Sequence, residues 1–575
     1  MTAPLASATR GEVAYGAYMV HTPPIRGGTV RVALTGEPDT LCQWFTPSWF
    51  RWDINMATHL YATNIDANTW DRYPEILGII PTLENGLIKI VGREMEVIYK
   101  FRPGLKFSDG TPMTIDDWAY SLMVFMDPRL PVTGRALEES IDFTKGVGAH
   151  GIRGFDILDR YSAKVYFRNT DFIASFAHPG GETVLSRRII EPLFRRVQET
   201  GVMDHFTKAH NVARVPVQIG YFRQTEWRPG TRIIHVRNPH SPFGQPNLDS
   251  IIFEIIPDTN ALLARIIAGG VDAHWGGLSM SHALVLEERI EALKRINQTW
   301  HGKIGYAPWF LVEQIWFNHD SPIMADIRIR KAIAHSINRQ QIVDTLFEGR
   351  QRVVHSYIAP HHWAYSDDIV KYSYDPARAR ALLEAAGWRI GPGGIRVKDG
   401  VRLTLDLRTV AGDRTREMTQ SIIKAQLEEV GIEIDTHRNL PSAAFVSRPH
   451  LFARAWPHMA MSGLSPGPLW VLESWWSADS IPRAENAWTG SNLTAYTNLE
   501  VTELFREVRR EMNLVKRKEL MAKILRLISE DLPSLPLFLH INPTYSKLEL
   551  GRFYPAVATL ARYYGHWWWR KDGKP

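Results

Sequence analysis

Residues 248–276 read LDSIIFEIIPDTNALLARIIAGGVDAHWG, and three patterns follow one another within them. Ile251 to Ile256 is an apolar run with the length of a strand, closed by Pro257. Asp258 or Thr259 can cap a helix whose apolar stripe is Leu262, Leu263, Ile266 and Ile267, and Gly269-Gly270 stop it before a second short strand. A strand, a helix and a strand in immediate succession form a βαβ unit, which implies an α/β layer rather than a sandwich.

The pattern extends outward in both directions. Upstream, GGTVRVALTGEPDTL at Gly27 begins with a turn, alternates around Val30, Val32 and Leu34, and ends in a loop punctuated by Gly and Pro. Glu96 to Phe101 predicts another strand, with turns at Pro103-Gly104 and Asp109-Gly110. Thr114 to Asp117 then reads as a capping box for a helix through Ala119, Leu122, Met123 and Met126. Downstream, Ile329, Ile333 and Ile337 predict a helix over Asp326 to Phe347, and another runs from Asp375-Pro376 to Gly387. Ile423, Leu427 and Val430 mark a helix that ends at Gly431 before a strand from Ile432 to Asp435. Val501, Leu504, Phe505, Val508 and Met512 mark a last long helix. No repeat of fixed period is present.

A chain of 575 residues exceeds one hydrophobic core, so two or three domains are expected. Hydrophobic residues are 45% and charged residues 22%, which excludes disordered and fibrous classes. The net charge of +6 is small and its charges are interspersed, so no nucleic-acid surface is indicated. The single cysteine, Cys42, allows neither an intrachain disulfide nor a four-cysteine zinc site. It also lacks the small preceding residue of a lipoprotein cysteine. No apolar run is long enough to predict a membrane-spanning helix, and the first residues, MTAPLASATRGEVAYGAYMV, show no export signal. The conspicuous number is 20 Trp, because flat indoles are favoured where apolar faces meet a ligand.

Several of these segments together resemble the family 5 bacterial extracellular solute-binding proteins, the peptide, nickel and opine receptors of ABC importers. The resemblance runs from about Gly27 to about Leu539. It is carried by GGTVRVALTGEPDTL at Gly27, YKFRPGLKFSDGTPMTIDDWAYSL at Tyr99, the block ending GGVD at Asp272, FNHDSPIMADIRIRKAIAHSINRQQIV at Phe317 and YDPARARALLEAAGW at Tyr374. GYFRQTEWRPGTRIIHVRNP at Gly220 is a weaker match.

The family implies an α/β, periplasmic-binding-protein-like fold of the type II, cluster C-like kind, with two lobes around a hinge plus an inserted domain. Mapped here, the first lobe is residues 27–58, 208–280 and 530–575, the inserted domain 59–207 and the second lobe 281–529. The implied function is non-enzymatic: a periplasmic or extracellular receptor, a monomer, that closes on its solute between the lobes and delivers it to ABC permease subunits. Neither cofactor nor metal is implied. The adjacent rings of His361 and His362 cannot easily aim at one ion, so loop or surface roles are the simpler reading.

Candidate ligand contacts in the first lobe are Trp44, Trp49, Trp52 and Trp275. In the second lobe the uncharged stretch AWPHMAMSGLSPGPLWVL, Ala455 to Leu472, contributes Trp456 and Trp470, followed by Trp475, Trp476 and Trp488. For each one alone, ordinary packing is the competing reading. Peptide-binding relatives carry an acidic residue in this part of the second lobe, and here the stretch has none. Trp-rich relatives bind oligosaccharides, so an oligosaccharide ligand is expected, with an oligopeptide as the alternative. A secreted hydrolase is the rival from another class, but HExxH and phosphate-loop motifs are missing from the sequence. A receptor that presents its ligand to a membrane sensor fits the same fold.

Overall fold

The structure is a computed structural model that describes residues 26–45, 48–65, 72–127, 129–130, 152–170, 172, 184–275, 278–467, 471–486, 488, 490–551 and 568–569. Two compact units divide the chain: residues 1–307 with 542–575, and residues 308–541.

In the first unit, β1 (Thr29–Leu34) precedes helix α1 (Trp49–Asn55), strands β2 (Ile88–Val91) and β3 (Glu94–Lys100), helix α2 (Ile115–Met126), strands β4 (Ile152–Asp159) and β5 (Ser162–Phe167), and helix α3 (Arg187–Thr200). Strands β6 (Phe222–Arg228), β7 (Arg232–Arg237) and β8 (Ser250–Ile255) follow, then helix α4 (Thr259–Ile267), strand β9 (Ala273–Trp275) and helix α5 (Met280–Arg295). The stretch at Leu248 folds as its pattern predicts. Asp258 caps α4 by accepting from the Ala261 N–H, and Leu262 and Ile266 are fully buried. Both β8 and β9 pair parallel to β1, with Thr29 opposite Ser250 and Val32 opposite Ala273, so the crossover helix carries the chain past one intervening strand. The sheet continues antiparallel from β8 through β7 to β6.

Residues expected in an inserted domain form a sheet of their own, in the order β2–β3–β5–β4. Its supporting helix begins as predicted. Asp117 accepts from the Thr114 N–H at 2.9 Å and also from the Arg187 N–H at 2.8 Å, so one buried carboxylate fastens the starts of α2 and α3. The turn at Asp109-Gly110 is equally local: Asp109 accepts from the Thr111 N–H at 3.0 Å. Gly110 has φ +87, a conformation that favours glycine, and a Cβ there would press on the His240 ring at 3.0 Å.

The second unit begins part-way along β10 (Gly302–Phe317). It continues with α6 (Ile327–Ser336), α7 (Arg339–Phe347), β11 (Arg352–Val353), α8 (Pro376–Ala385), β12 (Thr404–Arg408), α9 (Arg414–Glu428), β13 (Glu433–Asp435) and β14 (Met459–Leu464). Two helices, α10 (Leu499–Arg510) and α11 (Leu514–Asp531), lead into β15 (Ser534–Lys547). Its strand order is β13–β12–β14–β10–β15, with β11 paired to β15. The last residues of β15 pair with β9 inside the first unit, Thr544 opposite Trp275. Thus β10 and β15 are the strands along which the chain passes from one unit to the other. Helix α5, expected with the second lobe, falls in the first unit, and residues 530–541 fall in the second.

Two helices differ from their predicted extents. The helix expected over Asp326 to Phe347 breaks at Ile337, which is extended at φ −94 and ψ 112. Asn338 causes the break: its side chain caps α7 from the Gln341 N–H while its own N–H donates to Gln426. The last helix stops at Arg510, short of Met512, and Asn513 caps the 18-residue α11 that pattern reading missed. Arg330, 4% exposed, then locks this corner. Its guanidinium donates to the carbonyls of Met324, Ala325, Asp531 and Leu532, tying α6 to the end of α11.

Candidate ligand-binding site

The indoles singled out by composition have divergent fates. In the first unit Trp44 is 1% exposed and stacks on Phe206 at 6.4 Å, with Phe125 edge-on at 5.7 Å. Trp52 is half-buried, stacked on Tyr61 at 5.7 Å beneath the Arg51 guanidinium. The main chain of Trp275 pairs with Thr544, while the side chains of Trp49 and Trp275 lie outside the described structure.

In the second unit Trp456 and Trp476 are fully buried. Trp456 donates to the Leu451 carbonyl at 2.9 Å. Trp476 packs on Trp316 at 5.7 Å and Tyr357 at 4.7 Å, within the core formed by α10, α11 and β14. Trp475 is only half-buried, against Trp316 and Phe452. Trp488 is 42% exposed, and Trp470 lies outside the described residues. Three of the nine indoles are therefore enclosed by their own unit, and Trp52, Trp475 and Trp488 keep surface that a ligand can reach. His362 is a loop tie, since its Nδ1 accepts from the Ala364 N–H at 3.0 Å. Among the described residues no group of three His, Cys, Asp or Glu could hold a metal ion.

The second unit also holds a polar cluster on the two strands that link the units. Glu313 of β10 is 1% exposed and receives Arg416 of α9 in a bidentate pair, at 2.8 and 3.0 Å. His540 of β15 approaches the same carboxylate at 2.9 Å. Asp413, the N-cap of α9, holds the other edge of the guanidinium at 3.2 Å. Burial by itself would push the Glu313 carboxyl up, but Arg416 and His540 outweigh it and hold it at about 2. Opposite Glu313 on β14 stands Gly463, where a Cβ would lie 2.6 Å from Leu311 and 3.3 Å from the Glu313 carboxylate. The glycine makes the room that the ion pair occupies. Arg416 and His540 keep about a fifth of their side-chain surface exposed, at 22% each, so the cluster presents their polar edges while hiding its carboxylate.

Indole counting does not find this cluster. Its signal is a lone carboxylate in LVEQIWF, Leu311 to Phe317, and a lone histidine in PLFLHIN, Pro536 to Asn542. In the first unit a corresponding buried pair sits beside β9: Asp272 accepts from the Arg31 N–H at 2.7 Å and pairs with Lys547 at 2.6 Å.

Solved structures share this fold. The oligopeptide-binding protein of Thermus thermophilus, solved with a pentapeptide, aligns with a TM-score of 0.72 at 24% identity, covering 95% of this chain and 97% of its own. NikA of Brucella suis, in complex with Fe(III)-EDTA, aligns at 0.74 and 18% identity, covering 94% and 99%. Among sequences, the oligopeptide-binding protein AppA of Bacillus subtilis is 23% identical over 515 residues, which is 89% of this chain and 86% of that protein. The sequence model of the bacterial extracellular solute-binding proteins, family 5, matches residues 91–480, more than half of the chain. The protein belongs to that family. No helix among the described residues is long and apolar enough to cross a membrane.

Proposed function

We propose that this protein is the extracellular or periplasmic solute-binding component of an ABC importer and that its ligand is an oligopeptide, bound and released unchanged. The observation that carries the ligand class is the likeness, over nearly the whole chain, to proteins named for oligopeptide binding. The burial of Trp44, Trp456 and Trp476 points the same way, because enclosed indoles offer no platform for sugar rings. This reading replaces the oligosaccharide expected from tryptophan abundance. Peptide main chains need hydrogen-bond donors and acceptors more than flat walls, and the exposed edges of Arg416 and His540 offer such polar groups.

A thermal-shift panel of tri- to nonapeptides and oligosaccharides tests the proposal. A peptide present at 100 times its dissociation constant should stabilise by about 2.7 kcal/mol. If a glycan shifts melting and no peptide does, the ligand class is wrong. Recovery of the peptide intact after prolonged incubation separates a receptor from a hydrolase.

A further inference from the structure

The second unit has a cavity of about 20 Å³, lined among others by Arg339, His355, Ser356, Tyr372 and Leu525. That volume admits one particle the size of a water molecule. Arg339 is 5% exposed, and its Nη1 donates to the carbonyls of Val354 at 3.0 Å and Pro536 at 2.9 Å. Its Nη2 donates to the Tyr372 carbonyl and to His355 Nδ1. All four partners are neutral acceptors, because a ring nitrogen that accepts from a guanidinium carries no proton. The Nε–H meets no acceptor among the described residues, and no carboxylate there pairs with this guanidinium.

Ser356, 6% exposed, repeats the imbalance. Its Oγ accepts from the Ile358 N–H at 3.1 Å, while its own O–H has no acceptor among the described residues. The other hydroxyls of the lining are engaged: Ser529 donates to Arg526, Ser534 to Gln314, and Tyr372 to Ser529. The unmatched groups beside the cavity thus include two donors, one of them on a buried cation without a counter-charge. Both features are costly unless something accepts and neutralises.

We propose that this cavity is a binding site for a monovalent anion of halide size, held by Arg339 and Ser356. A water would accept the same two hydrogen bonds but would bring two hydrogens of its own and leave the charge uncompensated. The anion would fix the start of α7 to β15 and to the segment at Ser356. Burial depresses the Arg339 guanidinium to about 10, in keeping with a cation that lacks an ionic partner.

The test uses the full chain. Crystals soaked in sodium bromide should show an anomalous peak in the cavity, within contact of Arg339 Nε and Ser356 Oγ. In solution, melting should rise with bromide relative to sodium gluconate at equal ionic strength. S356A, which leaves the guanidinium in place, should require about tenfold more bromide for the same rise. R339Q should abolish the response; should it fail to fold, S356A still decides. A water-only cavity, identical melting in the two salts, or an unchanged bromide response in S356A each overturns the proposal.

Discussion

His235 provides the sharpest test of how the first unit is built. It lies on β7 opposite Ile251 of β8, fully buried, with its ring 5.2 Å from that of Phe253. Neither ring nitrogen has a hydrogen-bond partner among the described residues. Burial alone drives its pKa from 6.5 to about 3. Between those values the unfolded chain binds a proton at this position and the folded chain does not. Stability is therefore complete above the ordinary histidine value and is lost as the pH falls below it. At pH 5 the loss from this one group is about 2 kcal/mol. His235→Leu removes the titration and both unpartnered nitrogens. The variant should be more stable than the parent at pH 8 by about 1–3 kcal/mol, and the gap should widen by about 2 kcal/mol at pH 5. Because the chain has two units, the readout should be local: amide exchange of β8, comparing variant and parent at the same pH. An equal gap at both pH values would refute the reasoning, since it would mean that His235 stays partnered or solvated.

The remaining predictions concern the second unit. Arg416→Met strands the buried Glu313 carboxylate and should cost about 3–5 kcal/mol in urea unfolding, whereas replacing both residues with leucine should recover much of that loss. Arg330→Lys keeps the charge but not the planar fork that reaches four carbonyls, so melting should fall by an amount equivalent to at least about 2 kcal/mol, most visibly in the exchange of α11. Trp476→Ala should cost about 3–5 kcal/mol without a direct effect on ligand contacts. Trp475→Ala should cost less stability and more peptide affinity, measured by calorimetric titration, and the reverse ranking would exclude Trp475 from the binding surface.

Sequence patterns predicted the local elements because their causes are local. Asp258, Thr114 with Asp117, and Asp375 all cap helices where the pattern placed them, through contacts three residues away. What escaped depends on long-range partners. Asn338 breaks a continuous apolar stripe because Gln426, far along the chain, receives its N–H. The Glu313–Arg416–His540 cluster joins residues separated by 103 and 227 positions, so no spacing rule reveals it. Arg330 was legible as a helix residue, but its role as a clasp on α11 needs the fold.

Tryptophan abundance is an ambiguous signal for a physical reason. An indole removes so much apolar area from water that it serves a core as well as a ligand wall, and composition cannot distinguish the two uses. Its single donor does not separate them either: Trp456 donates to the Leu451 carbonyl and Trp316 to Ser462, whereas the equally enclosed Trp476 finds no acceptor among the described residues. The binding surface is then better sought among charged residues that interrupt apolar strands. A buried charge there is tolerated only because a particular partner holds it, and Arg416 and His540, which hold Glu313, still keep surface exposed to solvent.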